Sequence, residues 1–236
     1  SGEIVSIVGS SGAGKTTLLQ ILGTLDKPDS GSLTLNGINP FSLNSKGLAE
    51  FRNQKIGFIF QFHQLLPEFT ALENVSIPAF LAGTAEKKAK AEAQKWLERL
   101  GLGHRLEHKP SELSGGEQQR VAVARALINN PEVVLADEPV ASLDPKISAD
   151  ILGLIRDAAR ERNATVICSL HQVDLAREFG DRIVGMRNGK VVFDGTPAEF
   201  TDAKVNDLYH GARWEDTPEE EEEFELAVPG LRLATA

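Results

Sequence analysis

The sequence predicts an α/β fold with a mostly parallel sheet. Short apolar segments alternate with segments of helical periodicity along most of its 236 residues. The apolar segments that suit buried strands include residues 4–8, 132–136 and 165–170. A helix predicted at about 146–162 separates the last two, as a crossover between parallel strands requires. Because ligands of such sheets bind at the carboxyl ends of the strands, functional residues are expected there.

Further segments extend the predicted order of elements. The alternating residues 32–36 predict a half-buried strand. The region from about 70 to 130 is predicted to be an inserted helical subdomain, since residues 86–100 carry apolar side chains at three- and four-residue spacing. Asn188-Gly189 between two apolar segments predicts a β-hairpin. The segment Thr196–Glu199 has the pattern of a capping box with proline at the first helical position, so a short helix is expected to start there.

The composition limits the class of protein. No apolar segment is long enough to span a bilayer, and the first residues do not have the pattern of a signal peptide. The single cysteine, Cys168, is predicted to be a buried thiol, which fits a reducing compartment. The net charge of −9 argues against nucleic-acid binding. Much of that charge lies in residues 212–236, which we expect to be a disordered acidic tail after a domain formed by residues 1–211.

A glycine-rich segment lies between the first predicted strand and the first predicted helix. Its glycines let successive backbone N–H groups point at a phosphate, and the following helix N-terminus adds partial positive charge. The spacing predicts that Lys15 reaches the phosphates of a nucleoside triphosphate and that the Thr16 hydroxyl ligates Mg²⁺. A turn without a ligand is disfavoured by the flanking strand and helix. The predicted phosphate-binding residues are Gly9, Ser10, Ser11, Gly12, Ala13, Gly14, Lys15, Thr16 and Thr17.

Two acidic residues follow the apolar strand 132–136. Asp137 is expected to hold Mg²⁺ through water, and Glu138 is expected to polarise an attacking water as a general base. Neighbouring side chains at a strand end point to different sides, which would allow these two roles. Taken alone, the pair is also compatible with an ordinary polar loop.

A second helix N-terminus has the chemistry of an anion site. Ser114 precedes two glycines and a helix with an apolar face, and Glu117 follows three residues later. The segment could hold an anion without a lysine. It could equally be a capping box, in which Ser114 and Glu117 satisfy the first N–H groups of an ordinary helix.

Taken in order, these segments resemble the ATP-binding subunits of ABC transporters over about residues 2–211. The family carries six motifs in a fixed order, namely Walker A, Q-loop, signature, Walker B, D-loop and H-loop. The resemblance implies a P-loop NTPase that binds ATP and Mg²⁺. The matching residues are Gly9–Thr16, Gln61, Leu113–Gln118, Val133–Glu138, Ser142–Asp144 and His171.

The resemblance also implies roles that the residues alone do not establish. Gln61 would ligate Mg²⁺ or the water and relay the nucleotide state to the helical subdomain. His171 would contact the γ-phosphate, and Asp144 would line the interface of a homodimer. The signature residues Ser114, Gly115, Gly116 and Glu117 would cap the ATP held by the second subunit. In isolation, Gln61 and His171 would be a polar residue at a strand end and a loop histidine.

Two subfamilies are recognisable within the resemblance. Residues 59–67 and 70–75 resemble the lipoprotein-releasing and macrolide-exporter ATPases, whereas residues 137–145 and 169–176 resemble phosphonate-importer ATPases. We therefore expect a chain recombined or engineered near residues 130–137, with a divergent natural member of the family as the alternative. Its expected function is ATP hydrolysis coupled to a membrane permease, for lipoprotein release or macrolide-type export, on the cytoplasmic face of the inner membrane. Phosphonate import and a nucleotide-binding scaffold with little activity are the alternatives.

The family usually carries upstream strands and an aromatic ring that stacks on adenine. In this sequence the phosphate-binding segment follows almost directly after Ser1. The resemblance thus predicts an N-terminally truncated antiparallel β-subdomain, in which the strand at 32–36 presents an exposed edge. It also predicts weaker and less adenine-selective binding of ATP, because base stacking contributes about 1–3 kcal/mol on comparable platforms.

Overall fold

The computed structural model describes residues 2–141, 143–210 and 225–234. Strands and helices alternate through the first two ranges, and two strands form the third. The strands are β1 (Ile4–Val8), β2 (Ser32–Leu35), β3 (Ile56–Ile59), β4 (Val133–Asp137), β5 (Thr165–Ser169), β6 (Arg182–Arg187), β7 (Lys190–Gly195), β8 (Glu225–Val228) and β9 (Leu231–Ala234). The α-helices are α1 (Lys15–Leu22), α2 (Ser45–Lys55), α3 (Ala71–Leu81), α4 (Glu86–Arg99), α5 (Gly115–Leu127), α6 (Pro145–Arg162), α7 (Val173–Phe179) and α8 (Asp202–His210).

The central sheet has six strands in the order β3-β4-β5-β1-β6-β7. The first five strands in this order run parallel, and β7 returns antiparallel to β6 after a turn at Asn188-Gly189. Both turn residues have positive φ, 51° and 79°, which is the geometry that Asn-Gly favours in a two-residue hairpin. The predicted α/β fold with a mostly parallel sheet is confirmed.

The sheet is covered on both faces. Every residue of β1 is buried, as expected for a central parallel strand. Its side chains alternate between two hydrophobic clusters: Ile4 and Val8 pack with residues of α3–α6, whereas Val5 and Ile7 pack with α1 and with β2. The carboxyl ends of β1, β4 and β5 therefore meet at one edge of a rigid three-layer core.

Helices α3, α4 and α5 occupy the region where the sequence predicts the helical subdomain. Thr70 and Glu73 form a reciprocal capping box at the start of α3. On α4, Trp96 is buried, and the guanidinium of Arg162 on α6 lies 4.5 Å from its ring centroid. This cation–π contact joins the helical region to the layer that covers the parallel sheet.

A C-terminal hairpin corrects two predictions. Residues 225–234 are not disordered: β8 and β9 form an antiparallel hairpin, and β9 pairs with β2 in a three-stranded sheet. The strand at 32–36 therefore has a neighbour along one edge. Alternating apolar residues explain the order, since Leu226 and Leu231 are buried against Leu33 and Leu35. Residues 211–224, where most of the predicted acidic tail lies, are outside the described residues.

The expected helix at Thr196 is also wrong. The capping contacts form, because both the backbone N–H and the hydroxyl of Thr196 donate to the carboxylate of Glu199, at 2.8 and 2.9 Å. They close a turn, however, and the helix that follows starts at Asp202.

Cys168 is fully buried as predicted, and this burial raises the pKa of its thiol well above the usual value. Within the described ranges, no helix combines the length and the apolar character needed to cross a membrane.

Candidate nucleotide-binding site

The glycine-rich segment forms the loop between β1 and α1. Gly12 and Gly14 have φ of 80° and 96°, a left-handed conformation that strongly favours glycine. At Gly9, an added Cβ would lie 2.2 Å from the backbone carbonyl oxygen of Met186, so a side chain is excluded by contact as well. The loop thus has the tight, left-handed geometry that turns successive backbone N–H groups toward one point.

Lys15 lies across this loop. Its ammonium group donates hydrogen bonds to the carbonyl oxygens of Gly9, at 2.8 Å, and Ser10, at 3.0 Å, and only 5% of the residue is exposed. Burial lowers the pKa of Lys15, while the nearby carboxylates of Glu138 and Asp137 act in the opposite direction. The cation is therefore held at the mouth of the loop, next to the acidic end of β4.

The end of β4 brings an acidic residue to the phosphate loop. The Thr16 hydroxyl lies 3.4 Å from Asp137 Oδ1. The same oxygen accepts a hydrogen bond from the hydroxyl of Ser169 at 2.7 Å, and that hydroxyl accepts one from the backbone N–H of Glu138 at 2.9 Å. Two predicted Mg²⁺ ligands, Thr16 and Asp137, are thus adjacent.

Glu138 turns away from Asp137 toward the H-loop. Its φ of 48° is left-handed, which is uncommon for a residue other than glycine and is typical of functional sites. The carboxylate Oε1 lies 2.5 Å from Nε2 of His171, and its side chain is only 15% exposed. The predicted catalytic base and the predicted γ-phosphate contact therefore lie in direct contact with each other.

Gln61 shares a cleft with the other two predicted metal ligands. The cleft has a volume of about 200 Å³, and its lining includes Thr16, Gln61 and Asp137 together with Phe58 and Phe60. A hydroxyl, an amide and a carboxylate provide the oxygen ligands that Mg²⁺ prefers. The described residues contain no cluster of three or more His, Cys, Asp or Glu side chains that could bind a metal alone.

The segment after Gln61 is tied to the signature helix. His63 and Gln64 both have left-handed backbone, with φ of 58° and 48°. The guanidinium of Arg125 on α5 donates to the carbonyl oxygens of both, at 2.7 and 2.5 Å. His63 Nε2 lies 3.0 Å from the carbonyl oxygen of Gly115. Burial of His63 lowers its pKa, which favours the neutral ring.

The signature segment starts α5 with a complete capping box. Ser114 Oγ accepts from the N–H of Glu117 at 3.3 Å, and the Glu117 carboxylate accepts from the N–H of Ser114 at 2.8 Å. The latter bond is the main cause of the lowered pKa of Glu117, and Arg105 adds an ion pair at 2.9 Å. The capping interpretation is thus correct for this protomer. The first intrahelical hydrogen bond runs from the N–H of Gln118 to the carbonyl oxygen of Ser114. The N–H groups of Gly115 and Gly116 come before this bond in the chain, so neither takes part in the helical hydrogen-bond pattern.

The D-loop packs against the signature segment. Asp144 caps α6 by accepting from the N–H of Ile147 at 3.0 Å. A Cβ on Gly116 would lie 3.0 Å from Ile147 Cγ2, and one on Gly115 would lie 3.7 Å from Leu143. Ser142, the first residue of this motif, lies outside the described residues.

The site residues therefore form two groups within one chain. The first joins the phosphate loop, Gln61, Asp137, Glu138 and His171; the second joins residues 114–117 to Asp144. Across the described ranges, no hydrogen bond connects residues 114–117 with the phosphate loop.

Three contact residues were missed by the sequence interpretation. Ser169 is a polar residue in an otherwise apolar strand, which was the available signal. His63 and Arg125 carried no such signal, because their contacts join segments that are 62 residues apart in the chain.

Comparison with known proteins agrees with this geometry. The family model described as ABC transporter matches residues 1–141. The lipoprotein-releasing system ATP-binding protein LolD of Porphyromonas gingivalis is 57% identical over 188 residues, covering 80% of this chain and 85% of that protein. The LolD protein of Geobacter metallireducens is 51% identical over 193 residues, covering 82% and 85%. Both alignments are too long to lie on one side of residues 130–137, so the expected join of two subfamilies is not supported.

Solved structures of ATP-binding cassettes are also similar to this chain. The dimeric ATP-binding cassette MJ0796 in a post-hydrolysis state, bound to ADP and Pi, superposes with a TM-score of 0.76 at 40% identity, covering 83% of this chain and 86% of that one. CbiO1 from Clostridium perfringens, part of the ABC transporter complex cbiONQ, has a TM-score of 0.77 at 30% identity, covering 88% and 84%. These similarities show that the chain belongs to the ATP-binding cassettes of the ABC transporter family.

Proposed function

We propose that this chain hydrolyses ATP, with Mg²⁺, as the ATP-binding subunit of a lipoprotein-releasing ABC transporter. The observation that carries the proposal is the juxtaposition of Lys15, Asp137 and the Glu138–His171 pair at the carboxyl ends of adjacent strands. The similarity to LolD proteins supports the choice of lipoprotein release over macrolide export or phosphonate import.

The chain provides the groups that phosphoryl transfer to water needs. The phosphate loop and Lys15 bind the triphosphate, and the helix N-terminus of α1 adds its partial charge. The Glu138 carboxylate would accept the proton of the attacking water, while His171 would hold Glu138 in place and contact the γ-phosphate. Thr16, Gln61 and Asp137 would hold Mg²⁺, which, when bound, offsets the negative charge that develops on the phosphates.

The second half of each site would come from another copy of the chain. Residues 114–117 would face the γ-phosphate of the partner, and Asp144 would line the interface beside them. The dimeric state of the similar cassette bound to ADP and Pi supports this arrangement. Because the two facing helix N-termini share one triphosphate, hydrolysis would weaken the contact and release the subunits.

The permease would dock beside the Q-loop. Large apolar side chains within residues 62–81, the segment that follows Gln61, are exposed, which is unusual for a surface that faces only water. Phe62 is 77% exposed and Leu81 is 76% exposed, with Leu66 and Phe69 in the same region of the chain. A membrane-bound permease would cover this surface and hold the chain on the cytoplasmic side of the membrane.

Replacement of the catalytic base tests the hydrolytic function. In Glu138→Gln the side chain keeps its size but no longer accepts a proton, so kcat should fall by a factor of about 10² or more. ATP binding should persist, because the phosphate loop is unchanged, and an ATP-dependent dimer should accumulate. Steady-state ATPase assays and size-exclusion chromatography measure both effects. Near-zero hydrolysis by both proteins would instead favour a nucleotide-binding scaffold.

The transported substrate is tested through the permease. Proteoliposomes carrying the permease subunits of a lipoprotein-releasing system should stimulate ATP hydrolysis by the chain. Permeases of a macrolide exporter or a phosphonate importer should stimulate it less, and Glu138→Gln serves as the control for contaminating ATPases. Stronger stimulation by a phosphonate permease would overturn the proposed substrate while leaving the ATPase function intact.

A further inference from the structure

Ser169 lies at the point where the two acidic residues of the site diverge. It is the last residue of β5 and is fully buried. The parallel register pairs it with Asp137 on β4 and with Ile7 on β1. In the sheet, β5 lies between β4, which ends at the acidic pair, and β1, which leads into the phosphate loop. Ser169 is therefore next to both.

The hydroxyl of Ser169 contacts both acidic residues at once. A serine hydroxyl has one donor and two acceptor positions. The backbone N–H of Glu138 can only donate, so the hydroxyl accepts that bond, at 2.9 Å. Its own proton is then available for Asp137 Oδ1, at 2.7 Å. One side chain thus holds the carboxylate of Asp137 and the backbone of Glu138 in a fixed relation.

This relation determines where the catalytic base points. The left-handed backbone of Glu138, with φ of 48°, directs its carboxylate to His171, whereas Asp137 faces Thr16. A left-handed conformation at a residue other than glycine persists only when surrounding contacts hold it. The bond from the Glu138 N–H to Ser169 is such a contact. We propose that Ser169 is a positioning residue that orients the Asp137 carboxylate toward Mg²⁺ and maintains the left-handed turn at Glu138.

The other buried serines of the described ranges show that this is not the usual behaviour of a core serine. Ser76 and Ser148 donate to backbone carbonyl oxygens four and five residues earlier. Ser6 on β1 is fully buried, and its hydroxyl has no hydrogen-bond partner. Ser6 therefore provides a matched control, since it lies in the strand next to β5 and its register partner is Cys168.

The inference rests on the proposed function, so its test needs a readout besides hydrolysis. The full chain is prepared as wild type, Ser169→Ala, Ser169→Cys and Ser6→Ala. The cysteine variant keeps the core filled, whereas its thiol is only a weak hydrogen-bond donor. Binding of Mn²⁺, as a paramagnetic substitute for Mg²⁺, is followed by electron paramagnetic resonance in the presence of a non-hydrolysable ATP analogue. Binding of the same analogue in EDTA and the melting temperature are measured in parallel.

Both Ser169 variants should bind Mn²⁺ about 10- to 100-fold more weakly than wild type, as is typical when a group that orients a metal ligand is lost. Their kcat should fall by a similar factor, while analogue binding in EDTA stays within twofold. Ser6→Ala should match wild type in all of these measurements. Unchanged Mn²⁺ affinity in a folded Ser169→Cys protein, or an equal loss in Ser6→Ala, would overturn the proposal. If wild type hydrolyses no ATP, the Mn²⁺ measurement still decides the role of Ser169.

Discussion

At the scale of single residues, the site is organised by backbone conformation as much as by side chains. Asp137 ends β4 in extended geometry, and the next residue, Glu138, reverses the sign of φ. Two consecutive carboxylates therefore point in different directions, one to Thr16 and the other to His171. This separation matters because a metal ligand and a proton acceptor need different environments.

His171 should matter for the rate of hydrolysis rather than for nucleotide binding. Its contact with Glu138 Oε1, at 2.5 Å, is lost in His171→Ala, and the base is then free to rotate. We expect kcat to fall by a factor of about 10² or more, with KM for ATP changed by less than threefold. Steady-state kinetics measure both constants, with the exposed His104→Ala as the control. A change confined to KM would contradict the role of His171 in holding Glu138 and would leave only its proposed contact with the γ-phosphate.

Residue types and order predict the first group of site residues, and the structure brings these residues together, while their roles stay predictions. The motifs at 9–16, 137–138 and 171 carry their chemistry in the sequence itself, and the strand ends that hold them are apolar segments. The role of Ser169 could not be predicted in the same way, because it depends on the register between β4 and β5. Register is determined by the packing of the whole sheet and is not visible in one segment.

At the scale of elements, the loop after β3 and helix α5 behave as one unit. Arg125 extends from the middle of α5 and bonds the carbonyl oxygens of His63 and Gln64, while His63 contacts the first residue of the same helix. The Gln61 segment can therefore transmit a displacement to the signature residues through direct contacts. In the proposed dimer, these contacts would connect the nucleotide site of one chain with the signature residues that face the partner.

The guanidinium of Arg125 donates to two carbonyl groups of this loop in a forked arrangement, and its removal should make the loop more mobile. In Arg125→Ala, two left-handed residues lose the donors that hold their carbonyl groups, and we expect the free energy of unfolding to fall by about 2 kcal/mol. Amide hydrogen exchange should increase at residues 61–66, and urea unfolding gives the stability change. Arg125→Lys should be intermediate, because one ammonium group cannot reproduce the fork. Unchanged exchange at 61–66 would contradict the coupling of the loop to α5.

At the scale of the whole molecule, the C-terminal hairpin completes the layer beside the phosphate loop. Besides pairing with β2, it is attached to the parallel sheet through side chains of that sheet. Arg182 donates to the carbonyl oxygen of Ala227 at 2.7 Å, and Thr165 donates to that of Pro229 at 2.8 Å. The alternation of Leu226 with Val228 and of Leu231 with Leu233 around Pro229-Gly230 was the available signal. The sequence interpretation missed it because the segment follows a strongly acidic one and was assigned to the same tail.

The hairpin should contribute to the stability of the fold. Leu226 is fully buried in the cluster that contains Leu33 and Leu35, so Leu226→Ala should lower the free energy of unfolding by about 2–4 kcal/mol. Local undocking of the hairpin would reduce the loss below that range. Urea unfolding measures the change, and Val192→Ala, which is 46% exposed, should cost less than about 0.5 kcal/mol. Equal stability of the Leu226 and Val192 variants would mean that the hairpin is not part of the folded domain.

The composite site predicts a substitution that blocks dimerisation without harming the monomer. Gly115 is exposed at the first position of α5, where an aspartate is favourable for the helix dipole. In the dimer, the same carboxylate would face the triphosphate held by the partner. The variant Gly115→Asp is combined with Glu138→Gln, and the double variant should form no ATP-dependent dimer in size-exclusion chromatography. ATP binding to the monomer should stay within about twofold of the Glu138→Gln variant, because the phosphate loop is unchanged.

Gly115→Ala in the same background separates charge from size. The added Cβ would lie 3.7 Å from Leu143 Cδ2, which is ordinary van der Waals contact, so this variant should still dimerise. High salt should weaken the effect of the aspartate only partly, because charges inside a closed interface are poorly screened. A Gly115→Asp protein that dimerises as well as the alanine variant would place the signature residues outside the shared site. Loss of the dimer in the aspartate variant alone would instead identify repulsion at the triphosphate as the cause.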